Sequence, residues 1–191
     1  GDDWQKFANL RMLYAYMYAH PGKKLLFMGA ELGPWTEWDA SQGLDWSLLQ
    51  WDVHRTLRDY MRELNTVYQK TRALHAIDFT HDGFEWIEIH DSDNSILSFL
   101  RKGPEPGEVV VCVFNMTPVV REGYRVGVPH AGEYREILNS DAAVFGGSDV
   151  HGPGPVPSEP IPWADKPHSF SLTLPPLAGV YLAYRAPETG E

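Results

Sequence analysis

Apolar positions near the start of the chain repeat at the spacing of a helix. Over residues 3–19 they recur three and four positions apart, at Trp4, Phe7, Leu10, Leu13, Tyr14, Met17 and Tyr18. Asp2 and Asp3 precede them, and carboxylates there can cap free backbone N–H groups at a helix start. His20-Pro21-Gly22 follows, and proline disfavours helical geometry in the residue before it. The pattern predicts a helix over residues 3–19.

A short apolar run and a second helical pattern come next. Leu25–Met28 is too short for a helix and has no polar alternation, which is typical of a parallel strand covered on both faces. From about Asp52 to Thr71, apolar residues again recur at helical spacing. Residues 1–75 are therefore predicted as helix, strand, loop and helix.

Beyond about residue 76 the hydrophobic period changes from 3.6 to 2, the period of strands. Predicted strands cover residues 84–89, 95–101, 108–115, 124–128, 134–138, 168–174 and 179–185. Seven short strands at this spacing favour an antiparallel sandwich, with Trp86, Phe99 and Val111 pointing into its core. The Gly- and Pro-rich stretch 145–163 is predicted to be a long loop.

Composition and charge narrow the function. The 191 residues carry a formal net charge of −10, which argues against binding to nucleic-acid phosphates. No segment is apolar for long enough to span a membrane. The single cysteine, Cys112, is predicted to be a buried apolar residue. The start Gly-Asp-Asp-Trp contains no leader pattern, and we expect a soluble, cytoplasmic protein.

Residues 29–51 hold the candidate chemistry. Four of the seven tryptophans, Trp35, Trp38, Trp46 and Trp51, are interleaved with Glu31, Glu37, Asp39 and Asp45. Indoles can cover the C–H face of a sugar while carboxylates accept from its hydroxyls. A packing role for these tryptophans is the alternative. Glu31 with Glu37 or Asp39 could form an acid and nucleophile pair, but one flexible loop is a poor scaffold for their separation.

Other catalytic patterns are missing from the sequence. It has no GxSxG, Walker A, CxxC or HExxH motif, and its histidines are not paired at ligand spacing. Elbow-type hydrolases, P-loop enzymes and zinc sites therefore have no support, and we expect no metal ligand and no cofactor within these residues. His54 and His75 are interpreted as structural.

Several segments together resemble the C-terminal part of bacterial 1,4-α-glucan (glycogen) branching enzymes. The resemblance runs in order along essentially the whole chain, through GDDWQKFANLR, KKLLFMGAELGPWTEWDASQGLDWSLL, RELNTVYQKTRALH, GFEWI, SILSFLR, FNMTPV, YREILNSD and SLTLPPLAGVYL. It implies a (β/α)8 barrel followed by an all-β domain. Residues 1–75 would be the end of that barrel, with residues 23–28 as its eighth strand, and residues 76–191 would be the β-domain.

The resemblance also implies an activity. The family cleaves α-1,4 glucan and transfers the freed segment to a 6-hydroxyl, with retention that requires two carboxylates. These catalytic residues lie on earlier barrel strands, so the 191-residue chain alone is expected to be inactive. Its expected partners are α-glucans, such as glycogen and amylose, and the remainder of its own barrel.

Five residues are carried over as substrate-binding candidates, namely Glu31, Trp35, Trp38, Asp45 and Trp46. Gly29-Ala30-Glu31-Leu32 resembles a Gly-Asn-Glu-Phe motif of the family, with alanine and leucine in place of the amide and the aromatic ring. Two alternatives remain: another α-amylase relative, or a β-domain that only binds glucan or braces the barrel. We prefer bracing for that domain.

Overall fold

A computed structural model describes residues 1–150 and 154–187 of the protein. Its helices are α1 (Asp3–Ala19) and α2 (Asp52–Lys70). Its strands are β1 (Phe84–Glu88), β2 (Ile96–Lys102), β3 (Val109–Asn115), β4 (Arg121–Val128), β5 (Glu133–Asn139), β6 (Val156–Pro157), β7 (His168–Leu174) and β8 (Ala178–Arg185). Short 3-10 turns occur at Ala30–Leu32, Trp46–Gln50, Arg72–Leu74, His81–Gly83 and Ala143–Phe145.

The strands form two sheets. The larger has the order β1-β2-β3-β8-β5-β6, and the smaller pairs β4 with β7. Every pair is antiparallel. The predicted antiparallel all-β domain is therefore confirmed, with each of the seven predicted strands present.

The large sheet is the middle layer of three. All seven residues of β3 are buried, and they alternate between two hydrophobic cores. Val110, Cys112 and Phe114 pack with the two helices, whereas Val109, Val111 and Val113 pack against the small sheet. A strand with both faces covered needs apolar residues at every position, which accounts for the run VVVCVF. Cys112 is buried, as predicted.

Helix α1 forms as predicted, with its N terminus capped by the Asp2 carboxylate, which accepts from the Gln5 backbone N–H at 2.8 Å. Its buried face differs from the prediction. Leu13 is 56% exposed, whereas Ala15 is fully buried against the sheet. Small residues allow close approach, and a Cβ placed on Gly179 of β8 would lie 2.8 Å from the Ala15 Cβ.

The helices and the large sheet are also joined through a buried arginine. Arg101 on β2 is fully buried, and its guanidinium donates to the backbone oxygens of Ala19 and Gly83. It also forms an ion pair of 2.9 Å with the buried carboxylate of Asp78. One side chain thus links the end of α1 to the segment that leads into β1, and all of its charge is compensated inside the protein.

The predicted strand at residues 25–28 is wrong for this structure. No strand is described there, and Leu25, Phe27 and Met28 are 81%, 60% and 55% exposed. Leu26 alone packs against the core shared with the helices. A strand forms only where neighbouring strands complete its hydrogen-bond ladder, and no described strand lies beside this segment. An uninterrupted apolar run therefore did not indicate burial on both faces.

Two further predictions need correction. Trp86 is 38% exposed at the sheet edge, and Phe99 and Val111 are buried in different cores rather than in one. The stretch 145–163 is not wholly a loop, because β6 pairs with β5 and Glu159 and Trp163 make isolated bridges. Residues 151–153 of that stretch lie outside the described residues. Among the described helices, none is both long and apolar enough to cross a bilayer.

Candidate functional site

Glu31 lies in a tight turn between the two helices. The 3-10 turn Ala30–Leu32 is flanked by Gly29 and Gly33, both in the left-handed region, with φ of 78° and 63°. L side chains rarely adopt this conformation. The space is also limited, since a Cβ on Gly33 would lie 2.8 Å from the Leu57 side chain of α2. The two glycines let the chain reverse while its backbone touches α2. We call residues 29–33 the Glu31 turn.

Each helix holds this turn by one hydrogen bond to a backbone carbonyl. Tyr14 Oη of α1 donates to the Ala30 oxygen at 2.8 Å. His54 Nδ1 of α2 lies 2.7 Å from the Leu32 oxygen. A carbonyl only accepts, so Nδ1 carries the proton. His54 is buried, and the two bonds fix the backbone on both sides of Glu31.

The Glu31 carboxylate is half-buried. It lies close enough to Tyr14 to affect its ionisation: burial first, and then the charge of Glu31, raises the pKa of Tyr14 to about 12. Tyr14 therefore stays neutral and keeps its donor proton at physiological pH. Within residues 1–150 and 154–187, no side chain forms a hydrogen bond or ion pair with this carboxylate, which leaves its oxygens available to a ligand.

Trp35 is exposed on one face and supported on the other. Its ring meets Phe7 edge to face at 5.6 Å and His54 at 5.8 Å, while the Lys6 ammonium lies 5.2 Å from its centroid. Edge-to-face contacts of this kind fix the orientation of a ring. His54 thus contacts both the backbone of the Glu31 turn and Trp35, so these two candidate residues share one support.

Trp38 lies on a different support. It packs edge to face on Phe27 with a centroid distance of 5.2 Å, and both rings are exposed. Phe27 belongs to the segment that the sequence had assigned to a buried strand. The pair forms an exposed aromatic surface from one residue before the Glu31 turn and one after it.

Asp45 and Trp46 begin the 3-10 turn Trp46–Gln50. The Asp45 carboxylate caps this turn by accepting from the backbone N–H of Ser47 at 3.0 Å and from its hydroxyl. Trp46 is exposed. Leu44 lies against the Glu31 turn, because a Cβ on Gly29 would lie 2.8 Å from its Cδ2 atom. Asp45 therefore serves the local structure, while Trp46 remains free to contact a ligand.

The two aspartates among these candidate residues are both committed to local hydrogen bonds, so Asp39 is not free to form an acid and nucleophile pair with Glu31. Asp39 accepts from the Ser41 backbone, the Ser41 hydroxyl and the Gln42 amide, and the bonds from Ser41 lower its pKa. Asp45 is similarly engaged with Ser47. Only Glu31 of the three has an uncommitted carboxylate on a fixed backbone. Within the described ranges, no three His, Cys, Asp or Glu side chains come together as a metal cluster.

This arrangement can bind a polyhydroxylated chain but is not built for bond cleavage. One carboxylate can accept hydroxyl hydrogen bonds, and exposed indoles can cover C–H faces. Sequence reasoning did not identify Tyr14, Phe27 and His54 as supports. The sequence does place His54 on the apolar side of α2, three positions before Leu57, which indicates that it is buried. It gives no indication that the carbonyl of Leu32 is its hydrogen-bond partner.

Comparison with known proteins begins with a family model. The model described as "Alpha amylase, C-terminal all-beta domain" matches residues 86–185. This match covers strands from within β1 through β8.

Curated relatives match over almost the whole chain. It is 50% identical over 184 residues to the 1,4-alpha-glucan branching enzyme GlgB of Aquifex aeolicus, covering 96% of this chain and 29% of that protein. The GlgB of Cereibacter sphaeroides is 54% identical over 183 residues, covering 95% of this chain and 25% of that protein. The chain thus spans little more than a quarter of the length of these relatives. The resemblance drawn from the sequence is confirmed.

Solved structures share the fold at low sequence identity. A debranching enzyme from Nostoc punctiforme superposes with a TM-score of 0.62 and 17% identity, over 92% of this chain and 31% of that one. A maltogenic amylase from S.marinus gives a TM-score of 0.54 and 13% identity, over 92% of this chain and 19% of that one. Both matches extend over the helices as well as the sheets.

Proposed function

We propose, because the chain belongs to the family of the alpha-amylase C-terminal all-beta domain, that it is the C-terminal part of a 1,4-alpha-glucan branching enzyme. The observation that carries the proposal is the 50% identity to proteins of that name over 95% or more of the chain. The α-glucan substrate follows from the same names. The alternative of another α-amylase relative, such as a hydrolase, is less well supported, because these curated relatives are all named branching enzymes.

The reaction would break an α-1,4 bond and form an α-1,6 bond. The donor segment is first held on a carboxylate, and the 6-hydroxyl of an acceptor then displaces that carboxylate with overall retention. The carboxylates that do this would belong to parts of the protein outside these 191 residues. The chain described here would supply one wall of the cleft.

Residues 1–75 would contribute that wall as the last part of a (β/α)8 barrel. Leu25, Phe27 and Met28 are exposed, and the remaining barrel strands would cover them and complete a ladder with residues 23–28. The turn that follows would then lie at the carboxyl end of a barrel strand, where active sites of such barrels are found. The exposure of these three side chains supports the proposal.

Within the cleft, Glu31 would accept hydrogen bonds from sugar hydroxyls, and Trp35, Trp38 and Trp46 would cover C–H faces. Asp45 would act by holding the turn that presents Trp46. The β-domain would brace the barrel, because α1 and α2 share a core with its large sheet. We also propose a cytoplasmic location, which suits a chain whose single cysteine is free and buried.

The test is an assay of the full-length protein on amylose. Branching would create α-1,6-linked side chains that a debranching enzyme can release. The number of reducing ends would not increase during the branching reaction itself. Glu31→Gln is expected to lower kcat/KM by about tenfold, because an amide accepts hydroxyl hydrogen bonds less strongly than a carboxylate. Glu37→Gln is the matched control, since Glu37 is exposed in the same loop. Release of reducing sugar without branches would contradict the proposal.

A further inference from the structure

A cleft on the β-domain lies apart from the Glu31 turn. It is open, has a volume of about 870 Å³, and runs between the end of β1 and the start of β4. We call it the hairpin cleft, defined by Glu88, Asp91, Arg121, Tyr124, Arg125 and Trp163.

Trp163 reaches the cleft from a two-residue hairpin. Trp163 and Lys166 exchange both backbone hydrogen bonds at 3.0 Å. The residues between them, Ala164 and Asp165, both have positive φ, at 47° and 58°. This is the backbone of a type I′ turn, which normally uses Asn and Gly. Alanine and aspartate adopt it at a cost of about 1 kcal/mol or more each. Such strain persists only where surrounding contacts hold the turn in place.

Three contacts hold this hairpin. Gly127 of β4 admits the Trp163 carbonyl, because a Cβ there would lie 2.2 Å from that oxygen. Ser169 Oγ of β7 donates to the Ile161 oxygen at 2.7 Å. The Lys166 ammonium forms an ion pair of 2.6 Å with Glu85 of β1. The hairpin is thus fixed on three strands, yet the Trp163 side chain is 49% exposed. A strained, anchored turn that displays an uncovered indole is typical of a binding site.

Two polar side chains of the cleft, Tyr124 and Arg125, are also held in place. Tyr124 Oη donates to Asp91 Oδ2 at 2.8 Å, and burial followed by this bond raises the pKa of Tyr124 well above its usual range. Arg125 is held by Glu159 at 2.6 Å and by Ser169 Oγ at 2.8 Å. Arg121 differs, because its Nε is buried and has no hydrogen-bond partner among the described residues. An unsatisfied donor of this kind costs free energy unless a ligand or water completes it.

We propose that the hairpin cleft is a second α-glucan-binding site, in which a sugar ring lies on Trp163 and its hydroxyls bond to the carboxylates and guanidiniums of the cleft. Three carboxylates, of Glu88, Asp91 and the neighbouring Glu122, and the guanidiniums of Arg121 and Arg125 line the cleft. This mixture suits a neutral ligand whose hydroxyls both donate and accept, and it disfavours a phosphate or polyanion. An apolar ligand would leave these charged groups desolvated.

The choice of an α-glucan rests on the proposed function, since the cleft chemistry alone selects neutral polyhydroxylated chains. A second site on the same polymer would raise the local concentration of chains at the catalytic cleft. Loss of the site should therefore raise KM for long glucans and leave kcat almost unchanged. Short oligosaccharides, which cannot reach both sites, should show no change in KM.

Affinity electrophoresis of the full-length protein in gels containing amylose is the first experiment. Trp163→Ala is expected to weaken binding about fivefold, the effect of losing one aromatic contact. Ile161→Ala is the matched control, because Ile161 is exposed on the same hairpin but does not line the cleft. Unchanged retardation of Trp163→Ala would overturn the proposal, and so would equal losses in both variants. Equal thermal melting of all three proteins establishes that the variants fold.

A measurement on the unaltered protein avoids the folding question. Hydrogen exchange with and without maltoheptaose should show added protection at residues 88–91 and 161–166. Protection confined to residues 29–51 would overturn the second site. Protection of the hairpin in a protein that forms no branches would support the site while contradicting the branching activity, so the two proposals fail separately.

Discussion

At the scale of single residues, His54 supports the candidate site as well as the fold, whereas the sequence predicts only a structural role for it. It contacts the Leu32 backbone, Phe7 and Trp35, and it therefore couples the second helix to both the Glu31 turn and its neighbouring indole. Its partner is 22 residues away. A sequence pattern identifies a buried position on a helix, but it does not show which distant carbonyl accepts a hydrogen bond from the side chain at that position.

Replacing His54 tests this role. His54→Ala should destabilise the protein by about 2–3 kcal/mol, since it leaves a cavity and an unpaired carbonyl. His54→Phe should cost about 1 kcal/mol by losing the hydrogen bond alone. Urea unfolding measures both, and hydrogen exchange at residues 30–33 should rise in both. His81→Ala is the control, because His81 is almost fully exposed. Unaltered exchange at the Glu31 turn would contradict the role.

The partly buried Lys24 ammonium makes the stability of the protein depend on pH. Burial lowers its pKa from 10.5 to about 8, although Asp78 partly opposes the shift. Below pH 8 the ammonium is charged in both states and the cost of burying it is fully present. Between about pH 8 and 9 Lys24 carries fewer protons in the folded protein than in the unfolded chain, so stability rises with pH. Above about pH 9 this rise is offset, because burial raises the pKa of the Cys112 thiol and the thiol ionises first in the unfolded chain. Above pH 10 the direction reverses, because the raised pKa of Tyr14 lets the unfolded tyrosine ionise first as well.

The measurement is the urea midpoint at pH 7, 8, 9 and 10. Lys24→Met should remove most of the rise between pH 8 and 9. Lys23→Met should leave the rise intact, since Lys23 is the exposed neighbour. A midpoint that falls between pH 8 and 9 in the unaltered protein, or an equal rise in Lys24→Met, would show that Lys24 is not the controlling group.

At the scale of elements, the patterns of hydrophobicity located helices and strands but not their environments. The apolar period of α1 suggested that Leu13 is buried, yet the helix approaches β8 so closely that Ala15 and Gly179 form the contact. The same limit applies to residues 25–28, where an apolar run is exposed. The order of strands β3, β8 and β5 could not be predicted either, because those pairings join residues far apart in the sequence.

The approach of α1 to β8 gives a prediction at this scale. In Gly179→Ala the new Cβ would lie 2.8 Å from both the Ala15 Cβ and the Phe114 ring. We expect a loss of about 1–3 kcal/mol from overpacking, measured by thermal or urea unfolding. Adding Ala15→Gly should restore part of the loss, as the two positions are coupled. Gly43→Ala is the control, since no atom lies within 4 Å of its added Cβ. A neutral Gly179→Ala would mean that the helix can move away.

The strained hairpin at Trp163 cannot be recognised from the sequence. The Gly and Pro content of residues 145–163 predicts only a loop. The turn that presents Trp163 lacks the Asn-Gly signature of a type I′ turn, so no local signal marked it. The site around Glu31 was located from its tryptophans and carboxylates, whereas the hairpin cleft depends on strands that only the folded protein brings together.

At the scale of the whole molecule, residues 25–51 leave many apolar side chains uncovered. The exposed ones include Leu25, Phe27, Met28, Trp38, Trp46 and Trp51. Exposed apolar surface of this extent marks an interface. We expect the 191-residue chain alone to associate as its concentration rises, by light scattering after gel filtration. Leu25→Ser with Phe27→Ser should reduce this association, whereas Val144→Ser, a change at another exposed apolar residue, should not. A chain that remains monomeric at all concentrations would contradict this prediction.

The sharing of one core by the two helices and the large sheet has a consequence for recombination between related enzymes. A chimera joined near residue 76 would combine α1 and α2 of one parent with the sheet of another, and would mismatch pairs such as Ala15 with Gly179 and Ala19 with Arg101. A crossover placed before Asp3 would transfer both halves of every such pair together. The unit that can be exchanged intact is therefore larger than the β-domain and includes the helices that precede it.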